Sequence, residues 1–242
     1  MKSCHPVILF EDDDLIIVNK PAHFLTIPDR FVLEKPNLLT FLKKKYENVF
    51  VVHRLDKETS GVICFAKNEK AHRHLSQQFE YRTVDKYYLA IVEGQLHKEE
   101  GEIDKPIANN MRDAGRMIIA KRGKNSLTVF NLLEKFKNYS LVEANIKTGR
   151  THQVRVHFES IGYPLMIDSI YGRQSEFFLS QVKLKKYRRG KDVEERPLMS
   201  RTTLHAHKIA FDHPSTGERI NFEVEPPKDF RAVLNQLRKW GM

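Results

Sequence analysis

The chain has 242 residues, and 41 Lys and Arg against 31 Asp and Glu give it a formal charge of +10. With 40% apolar residues it is too hydrophobic to be disordered, and no apolar run approaches the roughly 18 residues of a membrane-spanning helix. Its two cysteines, Cys4 and Cys64, are too few for a disulfide framework or a four-cysteine zinc site. We therefore expect a soluble, cytoplasmic, basic globular protein.

The first part of the chain mixes strand and helix patterns. In chain order they predict strands at 6–10 and 15–18, a helix at 37–46 capped by Asn37, a buried strand at 62–66, a helix capped by Asn68, and a strand from Thr83. Side chains alternate along a strand, so Tyr88 and Tyr87 point to opposite faces of the last one.

The second part continues in the same manner. Its patterns predict strands near 126–136 and 139–148, a helix capped by Thr151, a hairpin of 204–211 with 219–224, and a closing helix at 229–240. Without regular βαβ alternation the fold class is α+β. No Gly/Ser-rich linker divides the chain, so we expect one domain over residues 1–242, with a basic insertion at about 173–201.

Positive charge is concentrated in two segments. Residues 183–201 hold eight Lys or Arg against three Asp or Glu, and residues 101–125 hold six against three. Clustered basic charge suits a polyanion, most often nucleic acid. Charge alone fits a solvated loop equally well. It also fits an anionic membrane, although the amphipathic basic helix that a membrane binder uses is missing.

The segment His53-Arg54-Leu55-Asp56-Lys57-Glu58-Thr59-Ser60-Gly61 leads a polar loop into the apolar strand at 62–66. A carboxylate held there by a rigid strand can act as nucleophile or base. The alternative is that Asp56 caps a turn and pairs with Arg54 or Lys57. From the loop alone the second interpretation is favoured, because few of the 31 acidic residues of the chain can be catalytic.

Residues 53–61 resemble the HRLDxxTSG motif of the RluA family of pseudouridine synthases at every fixed position. Four other segments resemble further family blocks in the same order: residues 15–21 (LIIVNKP), 86–90 (KYYLA), 148–157 (TGRTHQVRVH) and 204–206 (LHA). The likeness runs from about residue 6 to about residue 230. The chain is most similar to the stand-alone RluA-type enzymes, because it begins without room for the S4-type RNA-binding domain that other members carry.

The resemblance implies a mixed, mostly antiparallel central sheet flanked by helices, with the active-site cleft across its middle. It also implies an isomerase that converts uridine within RNA to pseudouridine, breaking N1–C1′ and joining C5 to C1′, without metal or organic cofactor. Asp56 matches the catalytic carboxylate. Whether it attacks the sugar, attacks the base or only abstracts a proton stays open.

Three further residues match family positions. Tyr88 matches the tyrosine that stacks on the target base and can take its C5 proton, the alternative being a cross-strand packing role. Arg155 matches the arginine that pairs with the catalytic carboxylate, the alternative being a surface cation paired with Glu159. Arg54 matches an arginine that enters the RNA helix beside the extruded nucleotide, the alternative being a pair with a nearby acid.

Binding of RNA beyond the target nucleotide needs another basic surface. Within Lys183–Lys191 six of nine residues are Lys or Arg, and we expect Lys185, Lys186, Arg188 and Arg189 to contact phosphates. Ile167 stands where the family has glycine before aspartate, so the turn at Asp168 can differ. We expect a stem-loop of large-subunit rRNA or a tRNA as partner, no membrane, no required protein partner, and a monomer.

Two other functions compete with this interpretation. A catalytically silent RNA-binding protein could keep the same fold, although it would not require Asp56, Tyr88 and Arg155 together. A base-excising glycosylase would also extrude a nucleotide. It would release free uracil, whereas a synthase leaves the mass of the RNA unchanged.

Overall fold

The computed structural model describes residues 5–183 and 194–241. Its strands are β1 (Val7–Glu11), β2 (Leu15–Lys20), β3 (Phe50–Val51), β4 (Ser60–Ala66), β5 (Asp85–Glu93), β6 (Glu100–Asp104), β7 (Ile107–Asn109), β8 (Met117–Ile119), β9 (Leu127–Lys135), β10 (Tyr139–Ile146), β11 (Leu204–Asp212) and β12 (Arg219–Glu223). Its helices are α1 (Leu38–Lys43), α2 (Glu69–Tyr81), α3 (Gln153–Ser160), α4 (Leu179–Lys183) and α5 (Lys228–Trp240).

The chain forms two compact units, each from separate stretches of sequence. The first unit is Met1–Tyr88 with His205–Glu225, and the second is Leu89–Leu204 with Pro226–Met242. Strand β5 passes from the first unit into the second between Tyr88 and Leu89. A single catalytic domain over residues 1–242 stays a prediction.

In the first unit β4 is the central strand, and all seven of its residues are buried. It pairs antiparallel with β2 and β3, and parallel with β11. Strand β1 extends the sheet beyond β2, and β12 pairs antiparallel with β11. Apolar side chains of β2 and β4 pack with α2 through Ala71 and Leu75. Because of this packing, the first residues of β4, which directly follow residues 53–59, are a rigid support for that loop.

In the second unit β9 lies between β10 and β6, and both pairs are antiparallel. Strands β7 and β8 form a separate two-stranded hairpin. The main core combines residues of β5 and β10 with one face of α5, where Phe230, Val233 and Leu237 are fully buried. A smaller cluster joins Val156 of α3 to Ile107 and Tyr171.

These arrangements confirm the predicted α+β class and the mixed sheet, in which β4 and β11 form a parallel pair and the other pairs described above are antiparallel. The predicted caps of α1 and α2 are confirmed, since Asn37 accepts from the N–H of Thr40 and Asn68 from that of Ala71. The sequence missed the short strands β3, β6, β7 and β8. Strand β6 is mostly polar, and β3, β7 and β8 have only two or three residues each, too few to show hydrophobic alternation.

The predicted cap of α3 by Thr151 is wrong. The helix begins at Gln153, and His152 before it adopts a left-handed conformation with φ of 55°. The buried side chain of Gln153 accepts from the N–H of Arg150 at 3.0 Å and from the hydroxyl of Thr148 at 2.6 Å. Gln153 therefore fixes the chain just before the helix, and no side chain caps the first turn of α3.

Over residues 5–183 and 194–241, no helix has the length and apolarity needed to cross a bilayer. The same residues contain no group of three or more His, Cys, Asp and Glu side chains that could hold a metal ion.

Candidate active site

The backbone just before Asp56 is held by the side chain of Thr26. The Thr26 hydroxyl donates to the carbonyl oxygen of Leu55 at 3.0 Å and accepts from the N–H of Leu55 at 3.1 Å. Both residues are buried. Because both polar groups of Leu55 are bound to one side chain, the residue that precedes Asp56 has little freedom to rotate.

The backbone just after Asp56 is held by the fully buried Lys20. The ammonium group of Lys20 donates to the carbonyl oxygens of Pro21, Phe24 and Lys57 at 3.0, 2.7 and 3.1 Å. An ammonium group has three N–H donors, and a buried charge is tolerated only when it is well solvated by partners. Asp56, which is itself half-buried, thus lies between two residues with fixed backbones.

The end of the 53–61 segment requires a glycine. Gly61 has a φ of 124°, and a Cβ placed on it would lie 2.1 Å from the carbonyl oxygen of Ala206. The two residues are partners in the parallel pair of β4 and β11. The Leu204-His205-Ala206 segment therefore supports the Asp56 loop through a close backbone contact that no larger side chain permits.

His53 orders the loop and stays neutral. Its Nε2 accepts from the N–H of Cys64 at 3.2 Å, and its ring stacks on Phe79 at 4.7 Å. Burial, followed by the charge of Lys86, lowers the pKa of His53 to about 3. A neutral imidazole with its accepting nitrogen already occupied is a poor proton carrier at neutral pH.

Tyr88 lies on β5 with only 8% of its surface exposed. Burial, followed by the negative charge of Asp56, raises the pKa of Tyr88. The electrostatic effect shows that these two side chains are near one another in the first unit. Within the described part of the chain the Tyr88 hydroxyl has no hydrogen-bond partner. The phenol therefore stays protonated, which suits a stacking role better than proton abstraction by a phenolate.

Arg54, two residues before Asp56, is exposed. Among residues 5–183 and 194–241 no carboxylate forms an ion pair with it. The alternative that Arg54 pairs with a nearby acid is therefore wrong for this part of the chain, and its guanidinium is available to a nucleic acid.

Arg155 lies on α3 in the second unit and is only 5% exposed, so it is not a surface cation. Its Nε and Nη2 donate to the two carboxylate oxygens of Asp168 at 2.6 and 2.7 Å. This is the bidentate geometry in which arginine–carboxylate hydrogen bonds are strongest. The sequence did not predict this pair, and the predicted pairing of Arg155 with Asp56 stays a prediction.

The turn after Asp168 completes the support of Arg155. Asp168 accepts from the N–H groups of Ile170 and Tyr171 at 2.9 and 3.1 Å, which places the Tyr171 ring 5.0 Å from the Arg155 guanidinium. The Tyr171 hydroxyl accepts from the N–H of Met117 at 2.7 Å. Burial works to raise the pKa of Asp168, but the bonds and charge of Arg155 and the two N–H groups outweigh it and lower the pKa.

The remaining predicted RNA-binding residues, Lys185, Lys186, Arg188 and Arg189, lie outside the described residues. Their role stays a prediction from sequence.

Comparison with known proteins places the chain among RNA-modifying enzymes. The sequence profile of the RNA pseudouridylate synthase family matches residues 14–160. That range contains the Asp56 loop, Tyr88 and Arg155.

The chain belongs to this family of RNA pseudouridine synthases.

Individual relatives extend the similarity over nearly the whole chain. An uncharacterized RNA pseudouridine synthase of Bacillus subtilis is 36% identical over 244 residues, which cover 97% of this chain and 73% of the relative. Ribosomal large subunit pseudouridine synthase C of Haemophilus influenzae is 37% identical over 96% of this chain and 69% of its own. The structure of human RNA pseudouridylate synthase domain containing 4 aligns with a TM-score of 0.72 at 25% identity, covering 96% of this chain and 92% of that one.

In this pseudouridine synthase the structure adds Thr26, Asp168 and Tyr171 as supports, and it gives Lys20 of the 15–21 block a role that the sequence did not predict. Thr26 and Lys20 hold the loop, and Asp168 and Tyr171 hold Arg155. One sequence feature pointed to the support of Arg155. This feature is Asp168, which follows Ile167 at the position where the family has glycine. In a buried turn an aspartate needs a partner, and a buried arginine needs one too.

Proposed function

We propose that Asp56 is the catalytic carboxylate of this pseudouridine synthase and that Tyr88 and Arg155 act with it. The observation that carries the proposal is that the charge of Asp56 reaches a buried tyrosine whose hydroxyl has no partner in the described residues. The fixed backbone on both sides of Asp56 supports it further, since a reacting group must be held in place before the substrate arrives.

The reaction needs little beyond a positioned carboxylate. The N1–C1′ bond of the uridine breaks, the C5–C1′ bond forms, the C5 proton leaves and N1 gains a proton. A carboxylate can carry this rearrangement by forming a transient bond to the electron-poor sugar or by accepting a proton. Tyr88, held neutral, stacks on the uracil and keeps it in the site after the glycosidic bond breaks.

Arg155 would assist as a fixed positive charge. Its bidentate bond to Asp168 and its contact with the Tyr171 ring hold the guanidinium in one orientation. A fixed cation stabilises negative charge more effectively than a mobile one, because no reorganisation is needed during the reaction.

The substrate class follows from the relatives. Two of them, from Haemophilus influenzae and Nitrosomonas europaea, are named ribosomal large subunit pseudouridine synthases C and D. We infer that the substrate is a uridine in a structured stem of large-subunit rRNA, with tRNA as the second class to be examined. Arg54 would occupy the space of the extruded nucleotide, and Lys185, Lys186, Arg188 and Arg189 would bind phosphates.

We also propose that the enzyme works as a monomer in the cytoplasm, where rRNA and tRNA are modified. The two lone cysteines fit a reducing compartment.

Mapping pseudouridines in total RNA with and without the gene tests this function. Sites lost in the deletion should return with the wild-type gene and with Glu47→Gln, an exposed carboxylate control, but not with Asp56→Asn. Purified Asp56→Asn protein should still bind the same RNA. Pseudouridine formed at the wild-type rate by Asp56→Asn, or free uracil released by the wild type, would refute the assignment.

A further inference from the structure

The loop of residues 27–36, between β2 and α1, exposes apolar side chains. Phe31 is 93% exposed and Leu33 is 70% exposed, among the largest values for apolar residues in the described chain. A phenylalanine ring left almost entirely in water contributes almost no burial free energy to folding. Such a residue in a loop is more often kept for a contact than for stability.

This loop is held in one shape. Asp29 accepts from the N–H groups of Phe31 and Val32 at 3.0 and 3.1 Å, and its other oxygen accepts from the ammonium of Lys35 at 2.9 Å. An aspartate that binds the backbone two and three residues ahead forms a turn. The exposed Phe31 ring therefore projects from an ordered turn.

The root of the loop is fixed beside the Asp56 backbone. The loop closes where Leu25 donates from its N–H to the carbonyl oxygen of Pro36 at 3.0 Å. The next residue is Thr26, whose hydroxyl holds Leu55, the neighbour of Asp56, at 3.0 and 3.1 Å. Phe31 is the fifth residue after Thr26, so even a fully extended chain would put them within about 18 Å.

That reach corresponds to a few nucleotides. Successive bases of a stacked strand rise about 3.4 Å along the axis, so an RNA whose target uridine is at Asp56 has several bases within range of Phe31. Arg30, immediately before Phe31, is exposed, and no carboxylate in the described residues pairs with it. An aromatic ring next to an unpaired cation matches a base and its phosphate.

We propose that residues 27–36 form an RNA-contact loop, in which Phe31 stacks on an unpaired base near the target uridine and Arg30 binds an adjacent phosphate. The inference rests on the proposed role of Asp56, because the position of the target uridine defines which bases lie within reach. It assigns the chain a contact for nucleotides that flank the target.

The test uses the full chain and large-subunit rRNA transcribed without modifications, with tRNA transcripts in parallel. Phe31→Ala should weaken RNA binding and raise KM about 5- to 150-fold, the range expected for loss of one stacked base. The single-turnover rate at saturating RNA should stay near the wild-type value. Phe31→Trp should restore the affinity, because its ring also stacks.

Tyr81, which is 72% exposed at the end of α2, provides the matched control. Tyr81→Ala removes another exposed ring of the first unit and should leave RNA affinity unchanged.

Salt dependence separates the two parts of the contact. Arg30→Gln should reduce the log–log slope of affinity against salt by about 0.7 to 0.9, as for one lost phosphate contact. Phe31→Ala should leave that slope unchanged, since stacking releases no counterion.

The possible outcomes are distinct. If the wild type forms pseudouridine and Phe31→Ala binds RNA as tightly as the wild type, the loop inference is overturned while the proposed function stands. If Phe31→Ala changes only the sedimentation mass, the loop docks protein and the inference is also overturned. If the wild type forms no pseudouridine in any transcript, the proposed function fails, and the wild-type reaction alone shows it.

Discussion

The Asp56 loop and the Arg155 helix each carry a proposed catalytic charge, but they are held in different ways. Around Asp56, Thr26 and Lys20 bind the backbones of the neighbouring residues Leu55 and Lys57. Arg155 is instead held through its own guanidinium, which binds the carboxylate of Asp168.

The difference separates geometry from charge. A substitution at Thr26 alters the position of the Asp56 carboxylate but removes no charged group. A change at Asp168 leaves a buried cation without its carboxylate, so stability and electrostatics change together. The predictions below test this separation.

The largest effect is expected for Asp168→Ala. Removing one partner of a buried ion pair costs about 3–5 kcal/mol, and urea denaturation should show this loss of unfolding free energy. Joint replacement by apolar residues, Arg155→Met with Asp168→Leu, should recover much of the stability but not the activity. A loss below about 1 kcal/mol for Asp168→Ala would indicate that the pair is not buried in solution.

Thr26→Val should have an intermediate effect. Valine has a similar shape but leaves the N–H and carbonyl of Leu55 without their partner, which costs about 1–3 kcal/mol. We expect kcat to fall because Asp56 loses its fixed position, while the affinity for RNA is unchanged. Thr26→Ser, which keeps the hydroxyl, is the control and should retain most of kcat. Equal kcat in Thr26→Val and wild type would show that the hydrogen bonds between Thr26 and Leu55 do not position Asp56.

Tyr171→Phe should have a smaller effect. The ring stays over Arg155, and only the hydrogen bond to the N–H of Met117 and the contact with His152 are lost. The expected loss of unfolding free energy is about 0.5–1.5 kcal/mol for each of these two hydrogen bonds. Tyr171→Ala, which also removes the ring, should reduce kcat further. If the two variants have the same kcat, the ring does not orient Arg155.

The titration of Asp168 changes the stability of the wild type only in acid, and this pH dependence is the last effect to test. Its pKa is lowered in the folded chain, so its contribution to stability is present above the unfolded pKa and is lost as the pH falls through the folded value. Asp168→Asn should flatten the acid part of the stability curve measured by denaturation at several pH values. An acid limb as steep as in the wild type would assign that limb to other carboxylates, such as Asp229 beside Arg201.

Local features could be predicted from sequence because their determinants are adjacent in the chain. The caps at Asn37 and Asn68, the buried strand β4 and the Asp56 motif each depend on fewer than ten consecutive residues. The partner of Arg155 could not be predicted in this way. Asp168 is 13 residues away, beyond the end of α3, and only the folded turn brings its carboxylate to the guanidinium.

The supports of Asp56 were missed for a related reason. Thr26 acts on Leu55 across 29 residues, and Lys20 on Lys57 across 37. A threonine in a loop and a lysine at a strand end are both ordinary in a sequence. Only the burial of their polar atoms against backbone groups identifies what they do.

The parallel pair of β4 and β11 also bears on the order in which the protein is assembled on the ribosome. Ser60 and His205, whose side chains are 3.0 Å apart, are separated by 145 residues, and closing a loop of that length costs about 4 kcal/mol in chain entropy. Gly61 cannot meet Ala206 until the polypeptide has been synthesised past residue 206. The loop that carries Asp56 therefore reaches its final support long after its own synthesis, and a nascent chain stopped before residue 204 would lack it.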